Sequence, residues 1–152
     1  MGTVRLATAA DFESLCAIDH AAFGDHAYDR FALRQFLALF PRSVFLAESD
    51  QGEPLGMAIG GHVASGEPGW VLSVAVVPSA RGQGLGRELA DRLTRRLAEL
   101  GARKVRLTVE ESNRAGRALY ASLGYREVGR DDAYFGRGHA RFLMEWTAVS
   151  GD

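Results

Sequence analysis

With one cysteine, Cys16, the chain has neither a disulfide of its own nor a cysteine-built metal centre. No apolar run approaches the roughly 20 residues of a membrane-crossing helix, and Met1 to Leu6 lack the hydrophobic stretch of a secretory signal. Leu6 stands where an N-myristoylation motif needs Ser or Thr. An excess of one charge is missing too. Lys and Arg number 18 against 19 Asp and Glu, a net charge of -1, without the basic face that nucleic acid calls for. These absences predict a cytoplasmic protein with no membrane, nucleic-acid or metal partner. What is present is ordinary globular composition, 47% hydrophobic and 24% charged. At 152 residues it predicts one domain, 1–152, able to bury a core without covalent staples.

Periodicity divides the chain into alternating elements. Thr3 to Ala7 reads as a strand, and Thr8 with Asp11 as a weak capping box for a helix bearing Phe12, Leu15, Cys16 and Phe23 on one face. On that stripe Cys16 is packing. Asp29 caps a second helix, in which Leu33, Phe36, Leu37 and Phe40 follow helical spacing until Pro41. Val44 to Glu48 and Leu55 to His62 flank a turn-rich segment, as in a hairpin. Trp70 to Val77, apolar almost throughout, predicts a central strand covered on both faces. Leu85, Leu89, Leu93, Leu97 and Leu100 mark a long helix ending at Gly101. Lys104 to Val109 alternates as a strand, Asn113 to Leu123 is a helix, and Tyr125 to Gly129 and Arg141 to Thr147 are the last strands. An α/β domain of about seven strands and four helices follows.

The turn between the apolar strand and the long helix, Val76-Val-Pro-Ser-Ala-Arg-Gly-Gln-Gly-Leu-Gly86, carries the most information. Its glycines, Gly82, Gly84 and Gly86, outnumber what a tight turn needs. Free N–H groups at a helix start present partial positive charge suited to a pyrophosphate, with Arg81 and Arg87 adding charge nearby. The plainer alternative is a turn and nothing else. A nucleoside-triphosphate loop requires Gly-Lys-Ser/Thr, whereas Gly86 precedes Arg87-Glu88. A dinucleotide fingerprint fails because neither glycine pair is followed by the third Gly or Ala.

Arg81-Gly-Gln-Gly-Leu-Gly86 resembles the pyrophosphate signature of the GNAT acetyltransferase superfamily. Asn113-Arg-Ala-Gly-Arg-Ala-Leu-Tyr-Ala-Ser-Leu-Gly-Tyr125 is similar to that superfamily's second block. The resemblance runs from about Val74 to Met144, and within the superfamily is nearest the branch that acetylates protein N-termini, including ribosomal-protein-alanine acetyltransferases. It implies a mixed, mostly antiparallel sheet with helices on both faces, two central strands splaying apart, and a cofactor core at about 70–129. It implies acetyl-CoA as co-substrate and no metal. The pantetheine arm would lie on the backbone of Val74 and Val76, and main-chain N–H groups of Arg81, Gly82, Gln83, Gly84, Leu85, Gly86 and Arg87 would hold the pyrophosphate. Asn113 would contact the cofactor, although it also reads as a helix N-cap. Tyr120 would be the general acid near the sulfur, although beside Leu119 it also reads as a core aromatic.

Direct attack of an amine on the thioester needs no enzyme nucleophile. It needs a neutral amine, a stabilised oxyanion and a proton for the leaving thiolate. The base is the gap in the pattern. Relatives of the N-terminal branch carry Glu where Thr108 stands, and others carry Glu near Trp70. Glu110, two residues past Thr108 and on the same face if the strand continues, is the candidate base, with Glu67, His20, His62 and Tyr134 further off. The acceptor side is expected from the first two helices, the Ser65 to Gly69 link and the Asp131 to His139 segment, where Asp131, Asp132 and Glu67 would draw a cationic amine. The acceptor is a peptide N-terminus or small amine, and the protein a monomer or homodimer. The alternative is an acyl-CoA-binding regulatory module with little catalysis.

Overall fold

The computed structural model describes residues 2–149, so the two ends of the expected domain, residue 1 and residues 150–152, lie outside the described residues. Seven strands form one sheet: β1 (Thr3–Leu6), β2 (Val44–Glu48), β3 (Pro54–Gly61), β4 (Gly69–Val76), β5 (Lys104–Val109), β6 (Arg126–Asp131) and β7 (Arg141–Thr147), in the order β1-β2-β3-β4-β5-β7-β6. Only β4 and β5 run parallel. The helices are α1 (Phe12–Phe23), α2 (Arg30–Leu39), α3 (Leu85–Glu99) and α4 (Arg114–Ser122). No helix of the described residues is long and apolar enough to cross a membrane.

Two cores lie on the two faces. Leu89, Leu93 and Leu97, one turn apart on α3, are fully buried against Phe45, Val105, Leu107 and Met144. On the other face Leu15 and Ile18 of α1 and Leu33 and Leu37 of α2 cover Val44, Leu46, Met57 and Ile59. Cys16 is half-buried beside this second core, and burial pushes its thiol above the ordinary value, in keeping with packing. Asp19 is an exception inside α1: fully buried, its Oδ2 accepts the Tyr28 N–H at 2.7 Å while Oδ1 has no partner, and desolvation raises its pKa.

The cap expected from Asp29 forms, whereas the Thr8 side chain makes no cap hydrogen bond and the expected box rests on its Asp11 half. Asp29 accepts from the Ala32 N–H at 2.8 Å. Asp11 accepts from the Thr8 N–H at 2.7 Å and also takes both guanidinium nitrogens of Arg5 at 2.9 Å, while Arg5 reaches Glu48 at 2.9 Å. The Arg5 hydrogen bonds, with the Thr8 amide, lower Asp11 to about 2. A carboxylate depressed by folding stabilises the protein above its unfolded pKa and loses that contribution as pH falls toward the folded value. Asp11→Asn is therefore expected to cost about 1–2 kcal/mol at pH 7, discounted for the half-exposed Arg5. Urea unfolding should find the gap from wild type closing between about pH 4 and 2. A gap that is the same at both ends of that range rejects the linkage.

Position of the site follows from an irregularity in β4. Ile59 pairs with Ser73 but Gly60 with Val71, leaving Leu72 as the extra residue of a bulge. A bulge bends its strand. Before it, Gly69 and Trp70 pair with Val105 and Arg106; beyond it, β4 and β5 share no further pairs and part.

Candidate active site

The parting leaves one flank of β4 open. Val77 donates its N–H to Leu55 on the β3 side at 2.9 Å. Main-chain groups alternate sides along a strand, so those of Val74 and Val76 face the gap. Two side chains already use this flank. The Tyr28 hydroxyl donates to the Leu72 carbonyl at 2.9 Å, and the Arg81 Nε donates to the Val76 carbonyl at 3.1 Å. A second Arg81 nitrogen reaches the Ala22 carbonyl at 3.4 Å. The Arg81 side chain is thus a strap across the strand end, bonded to two neutral carbonyls.

At the mouth of the gap the chain passes from β4 through a 3-10 turn, Pro78–Ala80, and the glycine segment into α3. Gly82 and Gly84 both have φ of +81°, and a Cβ built on either would meet nothing within 4 Å. They are needed for backbone conformation alone, over an open surface. Gly86 differs: it lies within α3, and a Cβ there would touch Leu119 and Val76 at 3.6 Å, ordinary contact. Gly84 is the N-cap residue and supplies no side chain; Glu88 N–H is bonded to its carbonyl at 3.1 Å. The N–H groups of Leu85, Gly86 and Arg87 have no carbonyl ahead of them in the helix, the donor set an anion needs. Gln83 is exposed, and Arg87 turns to the Ser122 hydroxyl on α4.

Val74, Val76, Leu85 and Tyr120 all border the core on the α3 side of the sheet. The Tyr120 ring meets Tyr125 edge-on at 5.6 Å, and burial pushes its phenol up to about 12. Tyr125, fully inside, bonds Thr94 at 2.6 Å. Asn113 does form the N-cap of α4, its Oδ1 accepting from the Gly116 N–H at 2.9 Å, which leaves its amide nitrogen exposed.

The carboxylate candidates separate. β5 ends at Val109, so the continued strand assumed for Glu110 is absent; its Oε1 instead meets Arg141 Nη2 at 3.1 Å. Thr108 is half-buried opposite Leu143. His62 and Glu67 sit before the first residues of β4, at the end remote from the glycines, where the Glu67 carbonyl faces His62 Nε2 at 3.1 Å. The Ser65 to Gly69 link lies there also, away from the gap. His20 lines a hollow with Cys16, Tyr28 and Phe31 on the α1 side. Tyr134 stacks edge-on with Phe135 at 4.8 Å in the β6–β7 loop. Tyr28 is not legible in the sequence, because nothing in its neighbours announces a bond to a strand 44 residues on.

A sheet opened between two parallel neighbours, with an uncapped helix start at the mouth, defines a domain shaped to hold an extended phosphorylated ligand. The chain belongs to the acetyltransferase (GNAT) family, whose model matches residues 9–125. It is 34% identical to a mycothiol acetyltransferase of Frankia alni over 86% of this chain and 44% of that one. It is 31% identical to an N-alpha-acetyltransferase of Arabidopsis thaliana over 78% of this chain and 63% of the plant protein. The chain thus spans less than half the length of the first relative and under two thirds of the second. Among solved structures, the ribosomal-protein-alanine N-acetyltransferase of Brucella melitensis superposes with a TM-score of 0.79 at 29% identity, over 96% of this chain and 99% of that one.

Proposed function

We propose that this domain, with its cofactor core at about 70–129, is an acetyl-CoA-dependent N-acetyltransferase acting on an α-amine. The observation that carries the reading is the open flank of β4 running into the N–H groups of Leu85, Gly86 and Arg87. Those groups, with Gly82 and Gly84 admitting close approach, hold the pyrophosphate. Backbone groups of Val74 and Val76 receive the pantetheine amides as a neighbouring strand would, and one strand N–H steadies the developing oxyanion. Tyr120 gives its proton to the departing sulfur, and the free Asn113 amide nitrogen serves the cofactor.

The choice of amine rests on energetics. Thr108 is no base and Glu110 is bound to Arg141, so the amine must lose its proton with little help. At pH 7 that costs roughly 4.6 kcal/mol for a lysine of pKa near 10.4 and about 1.4 kcal/mol for an α-amine near 8. The relatives named for N-terminal substrates favour a peptide α-amine. Those named for mycothiol favour a small amine-bearing acceptor as the second reading.

Thermal shift with CoA, acetyl-CoA and NAD, then thiol release with a panel of amines, tests this. CoA and acetyl-CoA should raise Tm and NAD should not. With an N-terminal peptide, kcat/KM should rise about tenfold per pH unit and level off near the amine pKa of about 8. Stabilisation by CoA without turnover on any amine would favour the regulatory acyl-CoA-binding module instead.

A further inference from the structure

The β6–β7 loop, residues 132–140, stands at the C-terminal end of β5 beside the gap, and its aromatic residues are exposed: Tyr134 by 38% and Phe135 by 59%. Its internal bonds are few. Ala133 N–H meets the Asp131 carboxylate, Gly136 and His139 close short turns, and Phe135 N–H reaches the His139 carbonyl at a long 3.3 Å. Gly136 and Gly138 both have positive φ. Such a segment does not hold one shape by itself.

Arg130 holds Asp132 at one end of the loop, and at the other end stands Arg141. Its side chain is only 18% exposed, though arginine is ordinarily a surface group. One guanidinium nitrogen donates to the Ala140 carbonyl at 2.8 Å, another meets Glu110 at 3.1 Å, and its carbon lies 5.0 Å from the Phe135 ring centre. The register explains the first pairing. Thr108 faces Leu143 and Val109 faces Phe142, so the next step sets Glu110 against Arg141, just beyond the ladder. Arg141 therefore lies on the sheet face shared with Thr108 and Leu143, opposite the α3 core, and the ion pair brings Glu110 to it just past the end of β5.

We propose that Glu110 is a positioning residue: through Arg141 it holds Phe135 and Tyr134 as the wall against which the acceptor docks, and it takes no proton in the reaction. A carboxylate fixes the plane of a guanidinium, and a guanidinium so fixed presents its face to an aromatic ring. The aromatic pair then has a defined surface to offer the apolar part of an acceptor. This rests on the acetyl-transfer reading for its kinetic consequence, but not for the loop order itself.

The test has two arms. In Glu110→Gln, trypsin should cut after Arg137 in the freed loop about five- to tenfold faster than in wild type, with Tm almost unmoved. That arm needs no activity. In the kinetic arm, Glu110→Gln should raise acceptor KM about five- to tenfold, with kcat within twofold and acetyl-CoA KM and the pH profile unchanged. Phe135→Leu should do the same, and the double variant should be no worse than the single ones. If Glu110→Gln lowers kcat and shifts the pH profile, Glu110 is a base and the proposal fails. Wild-type cleavage after Arg137 with unchanged acceptor KM overturns it equally. An inactive wild type whose loop nonetheless loosens in Glu110→Gln would overturn the acetyl-transfer reading and leave the loop order standing.

Discussion

Tyr120→Phe should cut kcat about 10²-fold while leaving acetyl-CoA affinity and Tm near wild type. The substitution removes one hydroxyl and keeps the ring that meets Tyr125 edge-on, so the packing is retained. Its proposed partner is the sulfur, which carries charge only once the thioester is broken, so the loss falls on turnover and not on binding. A phenol at about 12 stays protonated across the useful pH range, which is what a donor requires. Full transfer to a free thiolate of pKa near 8.5 would be uphill by about 5 kcal/mol. Burial raises both groups together and narrows that difference, leaving a strong hydrogen bond that ends in proton transfer as the product departs. Steady-state kinetics with calorimetric CoA binding checks this. Unchanged kcat would mean that the sulfur is protonated by another route.

Replacing both Gly82 and Gly84 with Ala should weaken acetyl-CoA about 10²-fold, with smaller losses for each single change. Because a Cβ at either site meets nothing within 4 Å, steric collision with the protein is not the cause. The cause is φ of +81°, which costs a non-glycine residue about 1–2 kcal/mol. The loop relieves that cost by turning its N–H groups away from the anion. Gly86→Ala, in ordinary helical conformation, should have far less effect on the loop. Calorimetry on these four variants and wild type decides, and undiminished affinity in the double variant would remove the loop from the pyrophosphate site.

Most of the architecture was legible because it is written locally. The leucine repeat on α3, the Asp29 cap and the alternation in β5 each depend on residues within a turn or two, and their bounds came out nearly as expected. The last hairpin was less so: Tyr125 is buried under α4 and β6 begins one residue later, at Arg126. Long-range features were illegible. Val71-Leu72-Ser73-Val74 gives no sign of a bulge, because the extra residue is defined only against Ile59 and Gly60. The same holds for the Arg81 strap and the Glu110–Arg141 pair, which depend on which strands become neighbours. Two charges did leave a trace. Asp19 among Leu15, Ile18 and Ala22, and Glu145 within Phe142 to Trp146, each interrupt an apolar pattern. Both proved buried, Glu145 between Arg106 at 2.8 Å and Lys104 at 3.4 Å.

The divided sheet has a bearing on how the domain tolerates change. Its two halves are sutured side by side at Gly69 and Trp70 alone, so a donor molecule lying along the cut would serve as a missing plank, and its affinity becomes part of the protein's own cohesion. At a donor concentration 100 times Kd that adds about 2.7 kcal/mol, comparable to the damage of one or two ordinary substitutions. Variants that look crippled in buffer would then survive in a cell rich in the donor, and starve when it runs low.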